Sequence, residues 1–357
     1  MPPLRPFFLL LLAWFAAGPA GAADIAPATG EHAAKWSDLF RTSAFSLVTE
    51  NDKYFAGTDR HYTNGLKLSF LGETRVDESP ALVQEITRYV PTLNSRTARE
   101  QTYKVGVSLG QNIYTPSDTQ TTAPILTERP YAGWLYAALT FQAQSDDARL
   151  LRVVELTAGV VGPAAFGRQA QNNIHHLIGV ARANGWSNQL HNEPGLILSW
   201  ERRYRVGKVE LPLFGLESDL IGRGGVSLGN VRTNVAAGFA VRLGWRLPPD
   251  FGSDLIRPAG GSLISAHRFS AYFFGSGETR AVARDIFLDG NTWQESQSVD
   301  KRPVAADLNL GLVLRTPLSG PRLKGLQFTY TQNYRTKEFY GQLQRDVFGS
   351  LGLTFLF

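Results

Sequence analysis

The chain has 357 residues, of which 43% are apolar and only 19% charged, and it contains no cysteine. Zero cysteine excludes disulfide scaffolds, thiol catalysis and Cys-ligated zinc or iron–sulfur centres. A net charge of +5 without a basic stripe gives no ground for nucleic-acid binding, and an aromatic content of 11% argues against disorder.

Residues 1–23 have the pattern of a secretory signal peptide. Arg5 is the positive n-region, Phe7 to Ala17 the apolar h-region, and Ala20-Gly21-Ala22 the small-residue cleavage site. The expectation is one mature domain over residues 24–357. After residue 23 there is no run of 18 apolar residues, so no transmembrane helix is expected. An exported chain of this kind is either soluble or a β-barrel, the other structure that closes its own backbone hydrogen bonds in lipid.

Period-two alternation follows, over segments about ten residues long, the length of a tilted membrane-spanning strand. In the first strand Phe45 and Leu47 take one face, and Ser46, Glu50 and Asp52 the other. In Tyr62 to Phe70, Tyr62, Leu66, Leu68 and Phe70 oppose Thr63, Gly65, Lys67 and Ser69. In Thr102 to Gly110, Tyr103, Val105, Val107 and Leu109 oppose Lys104, Gly106 and Ser108. Phe239, Val241, Leu243 and Trp245 oppose Arg242 and Arg246; Leu308, Leu310, Leu312 and Leu314 oppose Asp307 and Asn309. Phe328, Tyr330 and Tyr334 oppose Gln327, Thr329 and Asn333, and the last strand ends on Leu351, Leu353, Phe355 and Phe357.

Twelve strands are counted, starting near residues 43, 62, 101, 131, 149, 195, 208, 233, 265, 303, 323 and 346, with 224–246 readable as one strand or two. A soluble sandwich would also alternate, but its exposed face is often charged. Here the less apolar face is rich in Gly, Ser, Thr, Asn and Arg. The fold expected is therefore all-β, a transmembrane antiparallel β-barrel of twelve strands with short helices in loops.

An even barrel gathers its odd-to-even connections on the extracellular side. These carry Glu50-Asn51-Asp52, Tyr62-Thr63-Asn64-Gly65, 111–130 and 162–194. The 74–100 connection falls on the other side. Ser79-Pro80 begins a short helix there, with Leu82, Val83, Ile86 and Tyr89 on one stripe and Pro91 as the stop. In 163–194, Phe166, Ala170, Ile174, Leu177, Ile178 and Ala181 recur at helical spacing, and a helix packed over the barrel mouth is expected.

Asn51, Asp52, Thr63 and His175 are the candidates for chemistry at that mouth. A His can take a proton from water, and an oxygen-ligated cation such as Ca²⁺ at Asp52, with Glu50, can polarise an ester carbonyl. Thr63 and Asn51 can bond the developing oxyanion. Each residue also has a plain structural reading. Glu-Asn-Asp is common turn chemistry, Tyr62 suits an aromatic girdle, and Lys67 and Lys104 suit a wet lumen. No G-x-S-x-G, P-loop or H-E-x-x-H is present.

Several separated motifs resemble the outer-membrane lipid A 3'-O-deacylase (LpxR) family. They are Thr49-Glu50-Asn51-Asp52, Thr58 to Gly65, Gly110 to Ser117, Arg129-Pro130-Tyr131-Ala132-Gly133-Trp134, Gly162-Pro163 and Gln171-Asn172-Asn173-Ile174-His175-His176-Leu177-Ile178-Gly179. The resemblance implies a twelve-stranded bacterial outer-membrane barrel that removes the 3'-linked acyloxyacyl group from lipid A with Ca²⁺. It implies catalytic roles for Asn51, Asp52, Thr63 and His175 rather than His176. It also implies lipopolysaccharide as partner, a monomer, and an active site at the extracellular mouth. The family's Lys after the Ile-Tyr-Ser-Pro-Ser motif is missing, because Ser117-Asp118-Thr119-Gln120 follows Pro116. Lys67, Lys104 and Tyr131 stand as candidate substrate contacts. The competing expectations are an outer-membrane phospholipase, and a non-catalytic channel or adhesin with Lys67, Lys104, Arg203, Arg205, Arg242 and Arg246 lining the bore.

Overall fold

The computed structural model describes residues 42–52, 54, 61–75, 101–177, 179–252 and 268–357. The signal peptide and the helix expected between Ser79 and Pro91 lie outside the described residues. In chain order the elements are β1 (Ser43–Asn51), β2 (His61–Arg75), β3 (Gln101–Thr115), β4 (Ala132–Ser145), β5 (Leu150–Val161), α1 (Gly167–Leu177), β6 (Glu193–Leu211), β7 (Leu216–Gly229), β8 (Arg232–Trp245), β9 (Ser270–Asp285), α2 (Ile286–Asp289), β10 (Val304–Pro317), β11 (Gly325–Arg335) and β12 (Asp346–Leu356). Each strand pairs antiparallel with its chain neighbours, and β1 closes on β12 from Ala44↔Leu356 to Asn51↔Gly349. Closure leaves no unpaired edge, which is what lets strands sit in lipid. Among the described residues no helix is long and apolar enough to cross a membrane.

The alternation has the expected sense. Val107 and Leu109 are each 54% exposed on the outside of β3, while Arg242 and Arg315 are buried in the bore. Four long loops, 116–131, 162–192, 286–303 and 336–345, lie at one rim with the two-residue turn 230–231. Three short loops, 146–149, 212–215 and 318–324, lie at the other, the short-loop end, which the 76–100 and 246–269 connections also join.

Two bulges explain where the strand pattern differs from the sequence expectation. β6 runs on to Leu211 instead of ending before a strand at 208, and its register slips between Arg205 and Gly207. Tyr204 is exposed before the slip and Val209 and Leu211 after it, with Val206 as the extra residue, so the outward phase changes from even to odd. A phase change of this kind looks like a strand break in sequence. The stretch 224–246 is two strands joined by a tight turn at Asn230-Val231, where Thr233 Oγ1 accepts from Gly229 N at 3.1 Å.

The second bulge is in β2. Tyr62 stands opposite Tyr114 and Asn64 opposite Ile113, with Thr63 as the extra residue. The facings expected of Tyr62 and Thr63 lie outside the described side chains.

The bore is filled by ion pairs at the short-loop end. After β8 the chain turns inward. Asp250 binds Arg242 at 2.5 Å and Arg315 at 2.8 Å, and Arg242 also chelates Asp219 at 2.8 and 2.5 Å. Arg205 donates to the Asp250 carbonyl, and Arg203 Nη1 to that of Phe251 at 3.3 Å. The guanidiniums expected to line an open channel are thus held by carboxylates and backbone. Arg246 lies past the end of β8 and is exposed, outside the bore.

A second network sits under the long loops. Glu338 takes Arg129 at 2.9 Å and Arg280 at 3.2 Å, while Asp307 takes Arg280 at 2.8 Å and Arg335 at 2.9 Å. Burial alone would raise the Glu338 carboxyl, but Arg335, Arg129 and Arg280 hold it down to about 2.

Candidate functional site

Along β1, β2 and β3 the outward-facing residues change character at one height. Leu47, Leu68 and Leu109 form one row, Thr49, Leu66 and Gln111 the next, and Asn51, Asn64 and Ile113 the one nearest the rim. β4 extends the last row with Gly133. Three strand-to-strand steps make that row about 14 Å long. Glu50 is paired with Gly65 and buried on the bore side, and Asp52, in the turn after β1, is buried as well.

The 162–192 excursion begins at Gly162, whose φ of 101° suits glycine, and a short helical turn over Pro163–Ala165. It docks on the outside of the wall. Gln111 Nε2 donates to the Ala165 carbonyl at 2.6 Å. A Cβ on Gly133 would lie 3.1 Å from Ala165 Cβ and from Gly167 N, so the contact depends on glycine there. The helix expected over the mouth is therefore present as α1, but it lies against β3 and β4 rather than across the opening.

The residues α1 buries are Gly167, Gln171 and His175, four apart and on one side. The apolar stripe that the sequence suggested as the packing face is largely exposed. Phe166, just before the helix, is 55% exposed, Ile174 37% and Leu177 85%.

His175 is 3% exposed, and its Nδ1 lies 2.7 Å from the Ala181 carbonyl. A carbonyl only accepts, so Nδ1 carries the proton and Nε2 is the basic nitrogen. The returning chain that supplies this carbonyl is itself clamped. Asn172 Oδ1 accepts from Ala183 N at 2.9 Å, and Asn172 Nδ2 donates to Ala183 O at 3.4 Å. Trp186 Nε1 donates to Gln171 Oε1 at 2.9 Å.

The 116–131 connection braces the same segment. Gln120 Nε2 donates to Arg182 O at 3.1 Å, Asn184 N to Thr119 O at 2.8 Å, and Asn188 Nδ2 to Thr122 O at 2.7 Å. Asp118 shapes that connection by accepting from Thr121 Oγ1 at 2.5 Å and from Gln120 N at 2.8 Å. The Thr121 hydroxyl, ahead of these backbone N–H groups, holds the Asp118 carboxyl below its ordinary range. The segment that lacks the expected Lys therefore serves as a strut.

The other candidates separate. Lys67 faces the bore, 4.0 Å from Glu155. Lys104 donates to Gln144 at 2.9 Å and sits eight residues down β3 from Asn112, about 26 Å away towards the opposite rim. Tyr131 is buried against Trp186, ring centres 5.0 Å apart, inside the loop core with Ile113 and Ala183. The Thr63 side chain lies outside what is described. Among the described residues, no three His, Asp or Glu side chains are grouped closely enough to hold a metal by themselves.

A cavity of about 160 Å³ opens inside the bore between the two ionic networks. Lys67, Glu155, Arg223, Glu278 and Asp307 are among its lining residues, and His175 is not. Sequence reasoning assigned no role to Gln111, Gln171 or Asn172. The signal available was a Gln-Asn pair in mid-helix, where Asn is a weak helix former.

The sequence profile of the family described as "Outer membrane protein LpxR" matches residues 7–357. Among solved structures, LpxR from Salmonella typhimurium aligns with a TM-score of 0.69 at 19% identity, covering 88% of this chain and 100% of that one. The β domain of the Bordetella autotransporter BrkA aligns with a TM-score of 0.41 at 10% identity, covering 88% and 97%. A comparison with curated proteins gives no match. With the family profile matched over almost its full length, the chain belongs to the LpxR family of outer membrane proteins.

Proposed function

We propose that this chain is a lipid A deacylase that hydrolyses the 3'-linked acyloxyacyl ester at the outer-leaflet side of its barrel wall. The observation that carries the reading is the setting of His175. It is buried on the wall-facing side of α1, with Nδ1 committed to the Ala181 carbonyl. That fixes the tautomer in which Nε2 can accept a proton from water as the water attacks the ester. Asn51, in the outward row next to the rim, offers an amide N–H to the oxyanion that develops on the carbonyl. Thr63, at the β2 bulge beside that row, offers a hydroxyl by residue type.

Asp52, buried in the turn that follows β1 at the rim, gives an oxygen donor that suits a hard cation such as Ca²⁺. Glu50 is buried on the bore side of β1, across the wall from Asn51, so carbonyl, water or substrate oxygens rather than Glu50 would have to complete a shell that reaches an ester outside. Held at Asp52, the cation would polarise the scissile carbonyl. His175 then returns its proton to the leaving sugar oxygen, which restores the base.

Mass spectrometry of lipid A from cells that express the chain tests this. The wild type should remove one acyloxyacyl unit. His175→Ala and Asp52→Ala should each lower the rate by roughly 10²–10⁴-fold while the barrel still assembles. Unchanged lipid A with folded wild type and added Ca²⁺ would refute it, and release of lysophospholipid with lipid A intact would select the phospholipase reading instead.

A further inference from the structure

α1 has three sides, and only two are accounted for by the reaction. At 100° per residue, Gly167, Gln171 and His175 share the sector buried on the wall. Arg168, Gln169, Asn173 and His176 fill a second sector, exposed and polar. The third sector holds Ala170, half-buried against the loop core, and Ile174 and Leu177 beyond it; Phe166, in a left-handed turn just before the helix, is exposed as well. The large side chains of this sector are exposed, Leu177 most of all at 85%.

A helix on a water-facing loop buries its apolar stripe and exposes its polar one. Here a polar stripe is buried and the apolar one is left outside. That arrangement fits a helix lying along an interface, with wall, water and lipid on its three sides.

Its position gives the occupant. α1 is tied to the wall through Gln111, which faces outward two residues, about 7 Å, above Leu109. Leu109 and Val107 belong to the exposed apolar belt of the barrel, and Leu66 continues it on β2. The exposed stripe thus begins about one strand repeat above surface that already faces acyl chains.

We propose that the Phe166–Ile174–Leu177 stripe is immersed in the outer leaflet and holds the His175 side of α1 at the depth of the acyl esters. The first half of this needs no catalysis. The second rests on the deacylase reading above.

Site-directed spin labelling tests it, and the absence of native cysteine makes each label unique. Leu109→Cys, Ile174→Cys, Leu177→Cys and Asn173→Cys are prepared in the full chain and checked for folding by heat-modifiable gel mobility. Each is labelled and reconstituted in phosphatidylethanolamine–phosphatidylglycerol vesicles. Labels at 174 and 177 should collide several-fold more with oxygen than with a water-soluble nickel chelate, as the label at 109 does. The label at 173 should show the reverse.

A label at 177 that behaves like the one at 173 overturns the proposal, whatever the activity. Immersed labels on a chain that leaves lipid A untouched would uphold the immersion and refute the deacylase reading alone. A second variant covers function: Leu177→Glu should lower turnover of vesicle-embedded lipid A at least tenfold, and wild-type turnover there refutes a role in depth-setting.

Discussion

Asn172 is the residue whose removal discriminates best between a positioned base and a histidine that is merely buried. Its side chain does not touch the imidazole. It holds Ala183, and Ala183 anchors the segment whose Ala181 carbonyl fixes the His175 tautomer. Asn172→Ala strips the Ala183 N–H of its 2.9 Å acceptor, and Ala183 is only 3% exposed. Leaving such a donor unsatisfied costs about 1–3 kcal/mol. If that energy appears as lost orientation of His175, kcat should fall about 5- to 150-fold at 1.36 kcal/mol per decade.

KM should change little, because Asn172 bonds the returning segment and binds no substrate in this scheme. Asn172→Asp is the control. It keeps the acceptor at 2.9 Å but sets a carboxylate oxygen against the Ala183 carbonyl where the amide donated at 3.4 Å, so its kcat should fall less than that of Asn172→Ala. The assay is kcat for acyloxyacyl release, with amide exchange of 180–186 measured in parallel. An Asn172→Ala chain with loosened amides but wild-type kcat would show that the returning segment does not position His175, and the scheme would fail.

Two further predictions bear on the supports of the site. Gly133→Val places a branched side chain where Ala165 Cβ and Gly167 N already lie 3.1 Å from an ideal Cβ. It should push α1 off the wall at a cost of about 1–3 kcal/mol and remove activity while heat-modifiable mobility stays intact. Glu338, held at about 2 in the fold against 4.5 ordinarily, contributes stability that is complete above the unfolded value and is lost as pH falls from about 4.5 to 2. That is about 3 kcal/mol in order of magnitude. Amide exchange across 336–345 should accelerate over this window, and Glu338→Gln should be uniformly faster and insensitive to it. Pronounced acid sensitivity in the variant would contradict the assignment.

The barrel was legible because two different solvents act on alternate residues. Lipid outside and a polar, ion-paired bore inside impose period two on every strand, and Phe239, Val241, Leu243 and Trp245 against Arg242 show it plainly. The errors fall where one residue shifts that phase. The bulge after Arg205 mimicked a strand start, and the one at Thr63 shifts the β2 register by one residue. Nothing in residue type marks either slip. The presence of α1 was legible from helical spacing, and its buried face carries the His175 that the Gln-Asn-x-x-His resemblance singled out. The docking face was not, because apolar periodicity says which side of a helix avoids water and not whether lipid or protein replaces it. Lys104 shares a strand face with Lys67, but its distance along β3 put it at the wrong rim.

The filled bore and the outward row together indicate where ester chemistry belongs. In the bore, Asp250 and Glu338 each tie guanidiniums from several strands, and a bulky glycolipid would have to break those pairs to enter. Breaking a buried pair costs about 3–5 kcal/mol for each partner lost. Outside, on the deacylase reading, the substrate's acyl chains would lie against Leu47, Leu68 and Leu109, and no pair need open. One repeat higher the wall offers Thr49 and Gln111, and one more brings Asn51 and Asn64. The carbonyl of an acyl ester sits at that same change from hydrocarbon to polar headgroup. A base held against the outer wall at this height would meet the ester where it resides, and on the proposed reading α1, buried on its polar stripe, supplies it in His175.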